Sequence, residues 1–91
     1  MRVVVHFLAQ LKQAAGVAAE QVEVSAPCPV REFLVGLAQR RGGALQNLLL
    51  AADGTLQPTV LVFVDDTQVG PEDVALHDGA VVTLLSPIAG G

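Results

Sequence analysis

The stretch with the clearest chemical potential lies at the end of the 91-residue chain, where "LLSPIAGG" passes from an apolar run through a Ser-Pro break to two glycines. Pro87 has no backbone N–H to donate, so strand pairing should stop there. Ile88 and Ala89 follow, and then Gly90 and Gly91, which carry no side chain and reach backbone angles closed to other residues. A peptide of this kind can thread a narrow cleft and present the carboxylate of Gly91 to chemistry performed by another protein. Fully extended, the residues after Ser86 would reach roughly 17 Å, enough to enter a partner's active site. A frayed terminus has the same composition. The immediate exit from a strand and the ending on Gly91 argue for a used tail, while the residues alone leave both readings open.

Other candidate groups are sparse. Cys28 lies between Pro27 and Pro29, just ahead of a helical pattern whose dipole could activate a thiol, and its plainer reading is a small loop side chain. His6 and His77 are far apart, with no Cys or carboxylate at a zinc-binding spacing, so packed or solvated roles are expected and no metal site. Asp65-Asp66 and Glu72-Asp73 read as turn and loop residues rather than an acid/base pair. No G-x-x-x-x-G-K-[ST] loop and no G-x-S-x-G elbow is present.

Composition narrows the partners. The chain is 52% apolar and 15% charged, has five basic residues and a net charge of −4, and has no clustered Lys and Arg to hold a phosphate backbone. Nucleic acid is therefore an unsuitable partner. Arg40-Arg41 suits the solvated end of a helix. A single cysteine cannot form an internal disulfide, and His6, Gln10 and Lys12 break the resemblance of the first residues to a signal peptide. No segment is long and apolar enough to span a bilayer. A cytoplasmic protein with no membrane association is expected.

The elements that would position the tail follow from periodicity. "RVVVHFL" (residues 2–8) alternates with Val3, Val5 and Phe7 on one face, and "EQVEVS" (20–25) with Val22 and Val24 inward, giving two paired strands around a short helix that ends at Gly16. "VREFLVGLAQRRGG" carries Val30, Phe33, Leu34, Leu37 and Ala38 at helical spacing, with Gly42-Gly43 as its stop. Gly36 inside this helix costs about 1 kcal/mol unless close packing on the sheet uses its missing Cβ. A second short helix is expected over residues 44–54, then a strand over 59–64, a turn at Asp65-Asp66 with a short return, and a last strand over 80–86 after the Asp78-Gly79 turn. This is an α+β arrangement, one main helix covering one face of a small mixed sheet, with the third major strand beside the first and the last strand parallel to the first. Residues 1–86 form the domain and residues 87–91 the flexible tail.

"VLVFV" and "VVTLL" are apolar on both faces although one long helix covers only one. Either the 44–57 segment and loops cover the second face, or an apolar patch stands open for a partner. Val62, Val64, Val82 and Leu84, or their alternates on the opposite face, are the candidate contact residues.

On these residues the chain resembles the MoaD/ThiS family of sulfur carrier proteins, which have a ubiquitin-like β-grasp fold. "PIAGG" matches the family's Pro-x-x-Gly-Gly ending, "LHDGAVVTLL" its last turn and strand, "VREFLVGLA" the opening of its helix and "VLVFV" the strand before its short turn; Ala80 and Asp65-Asp66 depart from the usual pattern. The resemblance implies that an E1-like adenylating enzyme uses ATP to activate Gly91, which then becomes a thiocarboxylate. It also implies that Pro87, Ile88, Ala89 and Gly90 enter the partner, and that no cofactor is bound by this chain. It implies a non-catalytic carrier, most closely a MoaD-like small subunit of molybdopterin synthase whose catalytic groups lie on the large subunit that accepts the sulfur. Carriers for cysteine or thiamine biosynthesis and a ubiquitin-like protein modifier are the alternatives. The length of residues 43–64 weighs against the thiamine role. A plain interaction domain would tolerate loss of Gly90-Gly91.

Overall fold

The computed structural model describes residues 1–25, 27–70 and 75–86. Along the chain these form β1 (Arg2–Phe7), α1 (Gln10–Ala15), β2 (Ala19–Glu23), α2 (Val30–Arg41), α3 (Gly43–Leu49), β3 (Leu61–Val64), β4 (Thr67–Val69) and β5 (Val81–Leu85). The strands make one five-stranded sheet in the order β2-β1-β5-β3-β4. β5 runs parallel to β1 and antiparallel to β3, and the outer pairs β1/β2 and β3/β4 are antiparallel. This is the β-grasp topology.

The third major strand does not lie beside the first, as the sequence pattern suggests, because β5 is inserted between them. Each outer pair already uses one edge of β1 or β3, and β5 satisfies both inner edges at once. Its sequence, VVTLL, suits a strand paired on both sides.

The core lies on one face only. Val3, Val5 and Phe7 of β1, Val62 and Val64 of β3, and Val82 and Leu84 of β5 are buried together with Leu11 of α1, five residues of α2 (Val30, Phe33, Leu34, Leu37, Ala38), and Leu45 and Leu49 of α3. The spacing of the α2 residues is the helical periodicity read from the sequence. Its end is fixed by Gly42, whose φ of 62° favours glycine. Arg41, in the last turn of α2, reaches Glu20 of β2 at 3.2 Å and donates to the carbonyl of Ala15, tying that end of the helix to β2 and α1.

Two local expectations change. α3 stops at Leu49 rather than near Gly54, because Leu50 turns extended and bridges to Leu56. The Asp53 carboxylate closes that loop by accepting from the N–H and hydroxyl of Thr55 at 3.0 and 2.6 Å, a local side-chain bond that competes with helix. Gly36 serves no close approach to the sheet: a Cβ there would meet nothing within 4 Å. Among the described residues no helix is long and apolar enough to cross a membrane.

Candidate functional site

The tail begins where the central strand ends. β5 is hydrogen-bonded along both edges, and Ser86, the residue after it, is buried at 7% exposure. The point from which the chain continues into Pro87 is therefore held by the most constrained strand of the sheet. Pro87, Ile88, Ala89, Gly90 and Gly91 themselves lie outside the described residues.

The register decides which strand faces are open. Val62 pairs with Leu84 and Val64 with Val82, and all four are core residues, at 1%, 0%, 6% and 0% exposure respectively. These four side chains are thus corrected from contact candidates to core, because the helices and the 44–57 segment pack against that face. Their alternates carry the open surface: Leu61 and Phe63 of β3, and Val81, Thr83 and Leu85 of β5, all half-buried.

Cross-strand pairing arranges the open face in rows. At the tail end Leu85 lies opposite Leu61. Leu8, 42% exposed, stands beside them: it continues the alternation of β1, and its N–H donates to Leu84 O at 3.1 Å. The next row holds Ala19, His6, Thr83, Phe63 and Gln68. Gln21, Val4 and Val81 follow, and at the far end Arg2 and Glu23 form an exposed ion pair at 3.0 Å. Polarity therefore rises along the sheet, from an aliphatic row at the C-terminal end of β5 to a charged row at the opposite end.

The far end also holds a charged clasp that sequence reading does not reveal. His77 Nε2 donates to Asp65 Oδ2 at 2.7 Å and His77 Nδ1 to the carbonyl of Asp78 at 2.9 Å, while Asp65 Oδ1 accepts from Val81 N–H at 3.0 Å. Both partners of the ring are acceptors, so only the doubly protonated imidazolium satisfies both. The Asp78 carbonyl and the Asp65 carboxylate hold His77 above the ordinary imidazole range. The Val81 N–H and His77 hold the Asp65 carboxyl below its own. Asp65 and Asp66 are turn residues as expected, both at positive φ; Glu72 and Asp73 lie outside the described residues.

Nucleophilic or metal chemistry finds little support in these side chains. Burial, and then the negative charge of Glu32, push the half-buried Cys28 thiol up, which keeps it protonated rather than activated. Among the described residues no group of three His, Cys, Asp or Glu could hold a metal ion. What the arrangement can do is recognise: an apolar row lies at the end of the strand that leads into PIAGG.

Residues 5–91 match the ThiS family. No curated protein matches the chain. Among solved structures, the crystal structure of SAMP1 from Haloferax volcanii is similar with a TM-score of 0.86 and 23% identity, each chain being covered in full. The Amycolatopsis orientalis BexX/CysO complex is similar with a TM-score of 0.65 and 26% identity over 98% of this chain and 99% of that one. The complex of subunits 1 and 2 of molybdopterin-converting factor from Helicobacter pylori 26695 gives a TM-score of 0.64 and 21% identity, again with both chains covered in full.

Proposed function

Since the chain belongs to the ThiS family of ubiquitin-like sulfur carriers, we propose that it carries sulfur on the carboxylate of Gly91 as the small subunit of a molybdopterin synthase. A carboxylate is a poor electrophile until it gains a leaving group. In the proposed cycle an E1-like adenylating enzyme binds ATP, the Gly91 carboxylate attacks its α-phosphorus, and pyrophosphate leaves. Sulfide-level sulfur (HS−) from a donor then adds to the acyl carbon of the adenylate, AMP departs and the sulfhydryl proton is lost to solvent, leaving a thiocarboxylate whose sulfur is the nucleophile delivered to the large subunit. ATP is the activating enzyme's ligand, and the chain contributes Gly91, a permissive Gly90, the thin Pro87-Ile88-Ala89 lead and a docking face.

The observation that carries this reading is the aliphatic row of Leu8, Leu61 and Leu85 at the end of β5. A protein that covers the row would sit where the tail begins, so one contact both binds the carrier and aims its end. The adenylating enzyme and the sulfur acceptor would use this face in turn. Sulfur donation for cysteine synthesis is the second reading, favoured by the tail's Pro-x-Ala-Gly-Gly form, which such carriers share.

Intact-mass analysis of untagged protein from its native host, beside a Gly91-deleted control, tests the proposal. A fraction heavier by the oxygen-to-sulfur difference, localised by fragmentation to Gly91, is expected. An unmodified carboxylate after incubation with the adenylating enzyme, ATP and a sulfur source would refute it. Consumption of the thiocarboxylate by a molybdopterin synthase large subunit, and not by a cysteine synthase, separates the two pathways.

A further inference from the structure

Among the described residues, the apolar half of the open face contains one ionisable group. His6 stands between Ala19 of β2 and Thr83 of β5 by register, with Val4 and Leu8 two residues away along β1. Its ring is exposed, and neither His6 nor the Thr83 side chain has a hydrogen-bond partner among the described residues. Water satisfies them while the face is open. A partner that buries Leu8, Leu61, Phe63 and Leu85 strips that water, and each polar atom then left unpaired costs about 1–3 kcal/mol. The two requirements are reconciled when the partner brings its own polar group to this point.

The surrounding charges indicate which group. β2 presents Ala19 and Gln21 here, β3 Phe63, β4 Gln68 and β5 Thr83, none of them charged. Glu20 lies opposite Val5 on the covered side and is held by Arg41, while Glu23 pairs with Arg2 at the far end. Lys12 of α1 is an exposed base beyond the end of β1. In a chain with nine acidic and five basic residues, the tail half of this face carries no acid among the described residues, and the group at its centre is a base.

Building on the docking face proposed above, we infer that the protein covering it presents a carboxylate, ringed by apolar side chains, against His6 and Thr83, and that His6 selects for it. The imidazole N–H donates to one carboxylate oxygen and the Thr83 hydroxyl to the other, a charge-assisted pairing that gains strength once water is excluded. A purely apolar surface of the same shape would leave both side chains unpaired, so the pair discriminates against such partners.

The test is the affinity of the full-length chain for the adenylating enzyme of its own organism, measured by calorimetry for the wild type, His6→Lys, His6→Leu, His6→Glu and Leu85→Asp, with circular dichroism to confirm folding. His6→Lys should bind within about 3-fold of wild type, His6→Leu about 10-fold more weakly, and His6→Glu about 100-fold more weakly through like-charge repulsion. If His6→Leu or His6→Glu binds as tightly as wild type, the carboxylate inference is overturned while the docking face stands. Full affinity in Leu85→Asp would instead overturn the docking face on which the inference rests.

Discussion

Leu84 and Leu85 are consecutive residues of β5 whose side chains leave the sheet on opposite faces, and replacing each with alanine separates folding from docking. Leu84 is fully buried, with Val62 and Phe7 as its cross-strand neighbours. Truncating such a leucine costs about 2–5 kcal/mol, the transfer energy of the lost carbons plus the cavity they leave. A 91-residue domain has a total stability of about 5–14 kcal/mol, so Leu84→Ala removes a large share of it and lowers Tm by roughly 10–30 °C. Leu85 is half-buried beside Leu61 and stays in contact with water. Its truncation should cost about 1 kcal/mol or less, yet weaken binding to the adenylating enzyme about 10-fold or more if it is an anchor of the interface. Stability is read from urea unfolding by far-UV circular dichroism, because the chain has neither Trp nor Tyr. Equal loss of stability in the two variants, or a greater loss in Leu85→Ala, would refute the assignment of faces.

Gly36→Ala should stabilise the protein by about 1 kcal/mol and raise Tm by roughly 4–8 °C, since the added Cβ meets nothing within 4 Å; a fall in Tm would show an unrecognised contact. Ala9 has φ 53° and ψ −125°, a conformation that favours glycine, in the turn closed by Leu11 N–H donating to Leu8 O at 3.1 Å. Relief of about 1–3 kcal/mol of strain outweighs the entropic cost of glycine, about 0.5–1 kcal/mol, so Ala9→Gly should raise the urea midpoint, and an unchanged midpoint counts against strain there. The His77–Asp65 clasp makes stability depend on pH at both ends. His77 is raised, so its contribution is complete below the unfolded imidazole value, about 6.5, and is lost as pH rises through its higher folded value. Asp65 is lowered, so its contribution is complete above the unfolded carboxyl value, about 3.9, and is lost as pH falls through its lower folded value. The Tm advantage of wild type over His77→Gln should be greatest between those limits, and an advantage that grows toward alkaline pH would refute the clasp.

Much of the scaffold is legible from residue patterns because the responsible forces are local. Arg2 and His6 interrupt the valines of β1 and so reveal which face is buried. Val30, Phe33, Leu34, Leu37 and Ala38 give α2 its phase, and Gly16, Gly42 and Gly79 mark chain reversals at positive φ. β3 and β5 resist the same treatment, since Leu61–Val64 has no polar residue and Val81–Leu85 only Thr83. The phase of β5 comes from pairing with β1, where Val5 meets Val82 and Phe7 meets Leu84, a contact across most of the chain, and β3 takes its phase in turn from β5, where Val62 meets Leu84 and Val64 meets Val82. The His77–Asp65 clasp is hidden for a related reason: it forms only once β3 and β5 lie side by side.

The distribution of side chains across the open face argues that its apolar character serves a purpose other than folding. A sheet face turned to water normally alternates polar residues outward, and the edge strands comply, with Gln21 and Glu23 on β2 and Gln68 on β4. Polar edges also discourage unwanted strand addition. The central strands depart from the rule with Val4, Leu61, Phe63, Val81 and Leu85, residues that are half-buried and add nothing to the helix-covered core. None of them belongs to the buried core cluster or to the partly buried residues packed against it, so the core does not account for their apolar character. Under the proposed docking their value would be recovered when another protein covers them. Because the most aliphatic row is the one beside the end of β5, a partner that covers it, as proposed above, would meet the strand that leads to Gly91, and in that reading recognition and delivery both follow from a single strand's position.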